Sequence, residues 1–261
     1  MIKKTALILV IILASLLTSC APHTDLDGTA DQTESTNSEV RYATMNAHWS
    51  FYSDAEELSE DADVVIVATV TDISFQVLDM TTALPPTKGT DERDRCLNTI
   101  YDIDVITVYK GDVPEPAQIE VFGGVMGYRE EEQIKLQKEM DVWPYDTIPV
   151  YSGMARFRIG ETYLFALKKS TVTDVLIILY PAQSIHNLKN PFGKGANVVE
   201  PPEASAASTP QREIPAFTAK DVISVFGQDK WDAFWSQWQK DNPGWESRLD
   251  KAAVEKALAA N

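Results

Sequence analysis

Thr99-Ile100-Tyr101-Asp102-Ile103-Asp104-Val105-Ile106-Thr107-Val108-Tyr109-Lys110-Gly111 is the stretch that decides the fold class. Tyr101, Ile103, Val105, Thr107 and Tyr109 recur at every second position, with Asp102 and Asp104 between them. Successive side chains of a strand point to opposite faces, so this period of two predicts a β-strand over 99–109. Lys110-Gly111-Asp112 turns the chain. Upstream, Ala62 to Val70 is a β-branched run that predicts a strand reaching toward Phe75, apolar on both faces and so buried on both for part of its length. Downstream, strands are expected from Ala117 to Phe122, ending at Gly123-Gly124, from Thr162 to Leu167, and from Asp174 to Tyr180, stopping at Pro181. Residues 79–97, with Pro85-Pro86 and Gly89, read as a long loop. Residues 125–158 read as a large insertion between strands, with a charged helical piece from Glu130 to Met140.

Helical signals flank this β region. Ser53-Asp54-Ala55-Glu56 has the form of a capping box, which predicts a helix over 54–60. Residues 193–216 hold Pro201, Pro202, Pro210 and Pro215 among small residues and read as a flexible linker. Beyond it, Thr218 can cap a helix ending near Phe226-Gly227, and Asp229 can cap a second over 230–240. A third is expected from Trp245 to Ala259, after Asn242-Pro243-Gly244. Trp231, Phe234, Trp235 and Trp238 follow i, i+3, i+4, i+7 and so share one helical stripe, which Trp245 can join. Two readings stand: core packing, or an interaction face for a protein or glycan partner. The expected fold class is mainly β with helical additions.

Four blocks in order carry a resemblance: Ala62 to Val70, Tyr101 to Gly111 with its ending Val108-Tyr109-Lys110-Gly111, Ile119 to Gly124, and Ile159-Gly160-Glu161-Thr162-Tyr163-Leu164-Phe165-Ala166-Leu167. Together they resemble a netrin-like or tissue-inhibitor-of-metalloproteinase-like module. The resemblance implies an OB-type barrel of five to six strands over 48–192, with a long inserted loop and C-terminal α-helices over 217–261. It does not bring the inhibitors' activity with it. Their N-terminal cysteine chelates the target's zinc from a ridge fixed by disulfides, and this domain has neither a cysteine at its start nor a disulfide partner.

The chain opens on a different kind of signal. Lys3 and Lys4 precede the uncharged run Thr5 to Leu17, whose 13 residues are too short to span a bilayer as a helix. Leu17-Thr18-Ser19-Cys20 resembles the lipobox of bacterial lipoproteins. That resemblance implies removal of residues 1–19, lipidation of Cys20 with a palmitate-type anchor, and placement on the extracytoplasmic face of the cell membrane. Two acyl chains hold far more firmly than one. Residues 20–47 are expected to be a disordered tether, since 21–41 offer almost no large apolar side chain to bury. Asp25, Asp27 and Asp31 lack the further oxygen ligands a calcium loop needs. Order is expected from near Ala47.

Charge and composition narrow the function. The formal net charge is −16, and loss of Lys3 and Lys4 with residues 1–19 takes it to −18. Such a polyanion repels phosphate backbones, so no nucleic-acid partner is expected. Apolar content of 44% suits a globular core. Lipidation of Cys20 would leave Cys96 without a partner; it is either a reactive thiol or an incidental one near a strand start. The histidines are His23, His48 and His186, none in a nucleophile context, and no Gly-x-Ser-x-Gly, His-x-x-x-His or Cys-x-x-Cys occurs. Asp102 and Asp104 can be read as paired carboxylates or as a solvated face, and Glu130-Glu131-Glu132 as a solvated run. No catalytic residue, metal or cofactor is assigned. The expected function is a lipid-anchored binding or interaction module. The alternatives are an extracytoplasmic hydrolase using His186 or acidic residues, and an accessory or inhibitory subunit of an envelope complex docking through the tryptophan helix.

Overall fold

The alternating segment forms most of one of two long strands that run side by side in the computed structural model. That structure describes residues 40–45, 51–151, 154, 156–195 and 215–259. In chain order its elements are β1 (Arg41–Met45), α1 (Ala55–Asp61), β2 (Val64–Asp79), β3 (Arg95–Lys110), β4 (Gln118–Phe122), α2 (Glu130–Glu139), β5 (Thr147–Tyr151), β6 (Thr162–Lys169), β7 (Leu176–Ile178), α3 (Pro181–Ser184), β8 (Ile185–Asn187), α4 (Ala219–Ser224), α5 (Gln228–Asp241) and α6 (Lys251–Ala259). The described chain is mainly β, with six helices around a sheet of six strands and a sheet of two.

The larger sheet has the order β2-β3-β4-β7-β6-β8, and β2 pairs with β6 as well. Strands β2, β3, β4, β7 and β6 therefore form an unbroken ring of hydrogen-bonded neighbours. The two 16-residue strands run antiparallel, with irregularities at Val65/Ile66, Val67/Ala68 and Val70/Asp72. Such bulges bend a strand and increase its twist, which lets β2 meet β3 on one side and β6 on the other.

Burial along β2 follows the pleat. Val64, Ile66, Ala68 and Val70 face one cluster with Ile103, Ile119, Phe165 and Leu176. Val65 and Val67 face a second, with Leu58, Leu164, Ala219, Val222, Ile223 and Trp231. The strand is thus covered on both faces, as its unbroken apolar run predicts, and the C-terminal helices provide the second cover. At about 25 cal/mol per Å2 of apolar area, these two faces carry the largest share of the hydrophobic stabilisation.

Several boundaries differ from expectation. The loop placed at 79–97 shrinks to 80–94, because Gln76, Asp79, Arg95 and Asn98 continue the β2–β3 ladder despite their polarity. Of the tether expected over 20–47, residues 20–39 and 46–47 lie outside the described residues, whereas Arg41–Met45 pair in parallel with β5, in register Arg41↔Thr147 to Met45↔Tyr151. Order thus precedes Ala47. The helix expected at 54–60 is α1; Asp54 caps it by accepting from Glu57 N, and Glu57, not Glu56, closes the box onto Ser53 N at 2.6 Å. Thr218 caps α4 as expected, and the structure adds a reciprocal box with Asp221. Helix α5 starts at Gln228 after Gly227, earlier than an Asp229 cap would allow. The third helix is split: Trp245–Ser247 make a short 3-10 turn, and Asp250 restarts the chain as α6 by accepting from Ala252 N and Ala253 N. Of the expected linker 193–216, residues 196–214 lie outside the described residues; its ends meet where Gly195 N donates to Phe217 O at 3.2 Å.

Candidate functional site

An open cleft of about 840 Å3 lies beside the six-stranded sheet. Among the described residues, its lining gathers Arg156, Arg158, Lys189 and Lys194 around one carboxylate, Glu161. In a chain of net charge −16, this is a local reversal of sign.

Phe157 creates that reversal. It is fully buried, 4.6 Å from the Tyr101 ring and 5.3 Å from those of Tyr163 and Phe165. Edge-on ring packing of this kind anchors a backbone firmly. The flanking Arg156 and Arg158 remain exposed, so one apolar anchor holds two guanidinium groups at the cleft. The Arg156 guanidinium lies 5.6 Å from the centroid of the Tyr128 ring, a cation–π distance that leaves its N–H edges open.

Glu161 is the hub of the site. Its Oε2 accepts from Tyr163 Oη at 2.9 Å and from Asn187 Nδ2 at 2.7 Å, while Lys189 Nζ donates to Oε1. Arg158 Nη1 stands 3.9 Å from the same oxygen. Burial disfavours the carboxylate, yet these donors outweigh it and hold the carboxyl below its usual range. Burial likewise pushes the Tyr163 phenol up to about 12, with Glu161 adding to it, so the phenol stays a donor. Among the described residues, neither Arg156 nor Lys194 has a carboxylate partner.

Two devices fix the walls. The fully buried Gln133 on α2 accepts from Val125 N at 3.0 Å and donates to Val125 O at 2.9 Å and to Tyr128 O, which clamps loop 123–128. Gly124 makes the clamp possible, because a Cβ there would lie 1.9 Å from Gln133 Oε1 and 2.6 Å from Ile148 Cγ2. On the opposite side, Gly195 sits at φ +21° with its Cβ position 1.9 Å from Ala182 O, so only glycine lets the loop carrying Lys194 come this close.

The residues singled out in the sequence fall elsewhere. Cys20, the expected lipidation site, and His23 and His48 lie outside the described residues. Of the candidate interaction face, Trp231 and Trp238 are buried, while Phe234, Trp235 and Trp245 are half-buried. Trp231 and Trp235 enclose Phe192, and Trp238 Nε1 donates to Leu188 O at 2.6 Å. The stripe therefore packs inward and fastens α5 to the chain following β8, so it is not a free face.

His186, the residue offered for a hydrolase, is a buried strand residue of β8. Its Nε2 lies 2.9 Å from Gln183 O, and it lines neither the cleft around Glu161 nor the groove at Glu120. Burial lowers its pKa to about 4. Asp102 accepts from Gln118 Nε2 at 2.7 Å, whereas Asp104 is exposed. Glu130, placed in a solvated run, instead accepts from Gly127 N at 2.7 Å and from Tyr42 Oη. Cys96 is half-buried on β3, and burial raises its thiol to about 11.

A second groove of about 310 Å3 runs past Phe75, Leu84 and Ile100 to Glu120, whose carboxyl burial pushes upward. Among the described residues, no three His, Cys, Asp or Glu side chains group to hold a metal ion, and no helix is long and apolar enough to cross a membrane.

Sequence reasoning missed Glu161 and its cations. The signal available was the triplet Arg156-Phe157-Arg158 before Glu161, with Lys189 and Lys194 close together after the last strand. No known protein-family model matches the chain, and no curated protein is significantly similar to it.

Proposed function

We propose that the protein is a lipid-anchored, extracytoplasmic binding module, and that its ligand site is the cleft around Glu161. The reading joins two supports. The first is the run ending in Cys20, which has the form of a lipoprotein signal. The second, which carries the functional part, is a cleft of about 840 Å3 in which Lys189 and Arg158 turn toward Glu161, while Arg156, next to the buried Phe157, and Lys194 have no carboxylate partner among the described residues. Its size lies in the range of small-molecule sites, roughly 300–1,000 Å3. The ring β2-β3-β4-β7-β6 is read as an OB-type barrel of the netrin-like kind, with α2 and β5 as its insertion and the preceding β1 paired to β5.

Two measurements test the reading. In bacterial cells the full chain should incorporate labelled palmitate and enter the detergent phase, and Cys20→Ala should do neither. Protease added to intact cells or to spheroplasts should digest the folded domain. A domain protected in both preparations, or unchanged partitioning of Cys20→Ala, would refute the placement. Refutation of the binding role would be a cleft that takes up no small molecule of any charge class.

A further inference from the structure

We infer that the cleft selects small ligands carrying two or more negative charges, carboxylate or phosphate, on a compact scaffold. This rests on the cleft being the ligand site. Among the described residues, four cations and one carboxylate line it, a local net charge of +3. Lys189 and, at longer range, Arg158 are turned toward Glu161, which also takes Tyr163 and Asn187. Arg156 and Lys194 are the unbalanced pair: one rests on the Tyr128 ring, the other is carried on a loop pinned by Gly195, and both are exposed at the cleft. A planar guanidinium with open N–H edges presents the fork that binds carboxylate or phosphate oxygens in pairs.

The ligand must be small. Beyond the cleft the protein is strongly anionic, and the field of −16 charges opposes the approach of a long polyanion. A compact anion of two or three charges meets the cleft at short range, where its cations dominate once separation falls below the Debye length of about 8 Å. The floor fits the same conclusion. Val125, Met126 and Met154 offer apolar wall beneath the charged rim, room for the body of an organic anion rather than for a bare halide.

Glu161 has a defined part in this. It is a positioning residue that orients Lys189 and satisfies it while the cleft is empty. Its neutral amide analogue would release Lys189 and raise the local charge by one, so Glu161→Gln should bind multivalent anions more tightly than the natural protein.

The test is a thermal-shift panel on the full chain in non-ionic detergent. The probes are citrate for polycarboxylates, pyrophosphate for phosphates, glycerol as a neutral control, poly-glutamate as a long polyanion, and N-phenyl-1-naphthylamine as a neutral apolar dye. Citrate or pyrophosphate should raise the melting temperature saturably, and which of them acts tells carboxylate from phosphate. The Arg156→Glu/Lys194→Glu variant, altered only at exposed positions, should keep its own melting temperature and weaken the anion at least about 10-fold. Poly-glutamate should give no saturable shift.

Three results would overturn the inference. One is an anion response unchanged by the double variant, and another is poly-glutamate binding as well as citrate. The third is no anion response while the neutral dye binds the cleft, which leaves the binding module standing and removes only its anion selectivity. Silence of every probe would remove both.

Discussion

His186→Gln offers a change in stability whose size can be worked out beforehand. The imidazole is 2% exposed, on β8 opposite Leu164 of β6. In its neutral form Nε2–H donates to Gln183 O at 2.9 Å, and among the described residues Nδ1 has no hydrogen-bond partner. Burial opposes the imidazolium; the Gln183 carbonyl and the Asp221 carboxylate favour it but do not compensate, and the pKa falls from 6.5 to about 4. The unfolded chain therefore takes up a proton between pH 6.5 and pH 4 that the folded chain refuses. Stability follows the protons bound in the unfolded state, so this group leaves stability flat above about pH 7 and lowers it as pH falls through that window. A gap of about 2.5 pH units at about 1.4 kcal/mol each gives a loss of about 3 kcal/mol, complete below about pH 4.

The glutamine variant would have a pH-independent packing cost but no proton to take. The quantity to measure is thus the difference in unfolding free energy between the two proteins, by urea titration at about pH 7.5, 6, 5 and 4.5. The natural protein should be the more stable at about pH 7.5. Its advantage should shrink steadily on acidification, by about 2 kcal/mol or more at about pH 4.5. A difference constant to within about 0.5 kcal/mol across the series would refute the buried, neutral histidine.

Three further perturbations probe the architecture. Trp231→Ala removes a fully buried indole from the layer between α4, α5 and β2 and should cost about 3–5 kcal/mol, with earlier proteolysis of the C-terminal helices; a loss below about 1 kcal/mol would show the helices do not rely on it. Gly124→Ala drives a methyl into Gln133 Oε1 and Ile148, so it should destabilise by about 1–3 kcal/mol and shift the amide signals of 125–128 in NMR, whereas a neutral outcome would dissolve the clamp. Cys96, with its thiol raised to about 11 by burial, should react with iodoacetamide at about pH 8 far more slowly in the native protein than in urea; equal rates would mean an open thiol.

The regular elements were legible where one physical signal acted alone. The pleat of Tyr101 to Tyr109 and the doubly apolar run from Ala62 to Val70 marked two strands, and Thr218 as a cap marked a helix start. Legibility failed where a tertiary partner outweighed local preference. Asn98, fully buried and polar, sits in a ladder because β2 and β4 flank it on both sides. Arg41–Met45 has little strand character by itself and pairs because β5 offers an edge, with Pro149 at a position where its carbonyl serves Gly124 N. The aromatic stripe was visible, but its direction was not: periodicity shows that four side chains share a face, and only Leu188 and Phe192 show that the face turns inward. The cleft was the least legible part. Its cations come from positions 156, 158, 189 and 194 and meet only because β6 and β8 are paired.

Calorimetric titration of the full chain with citrate and with pyrophosphate should show one site per protein for at least one of them. Its affinity should fall as salt rises, drop at least about 10-fold in Arg156→Glu/Lys194→Glu, and rise in Glu161→Gln. Heats indistinguishable from dilution for both anions, or an affinity indifferent to those three positions, would contradict a cleft built for small multivalent anions.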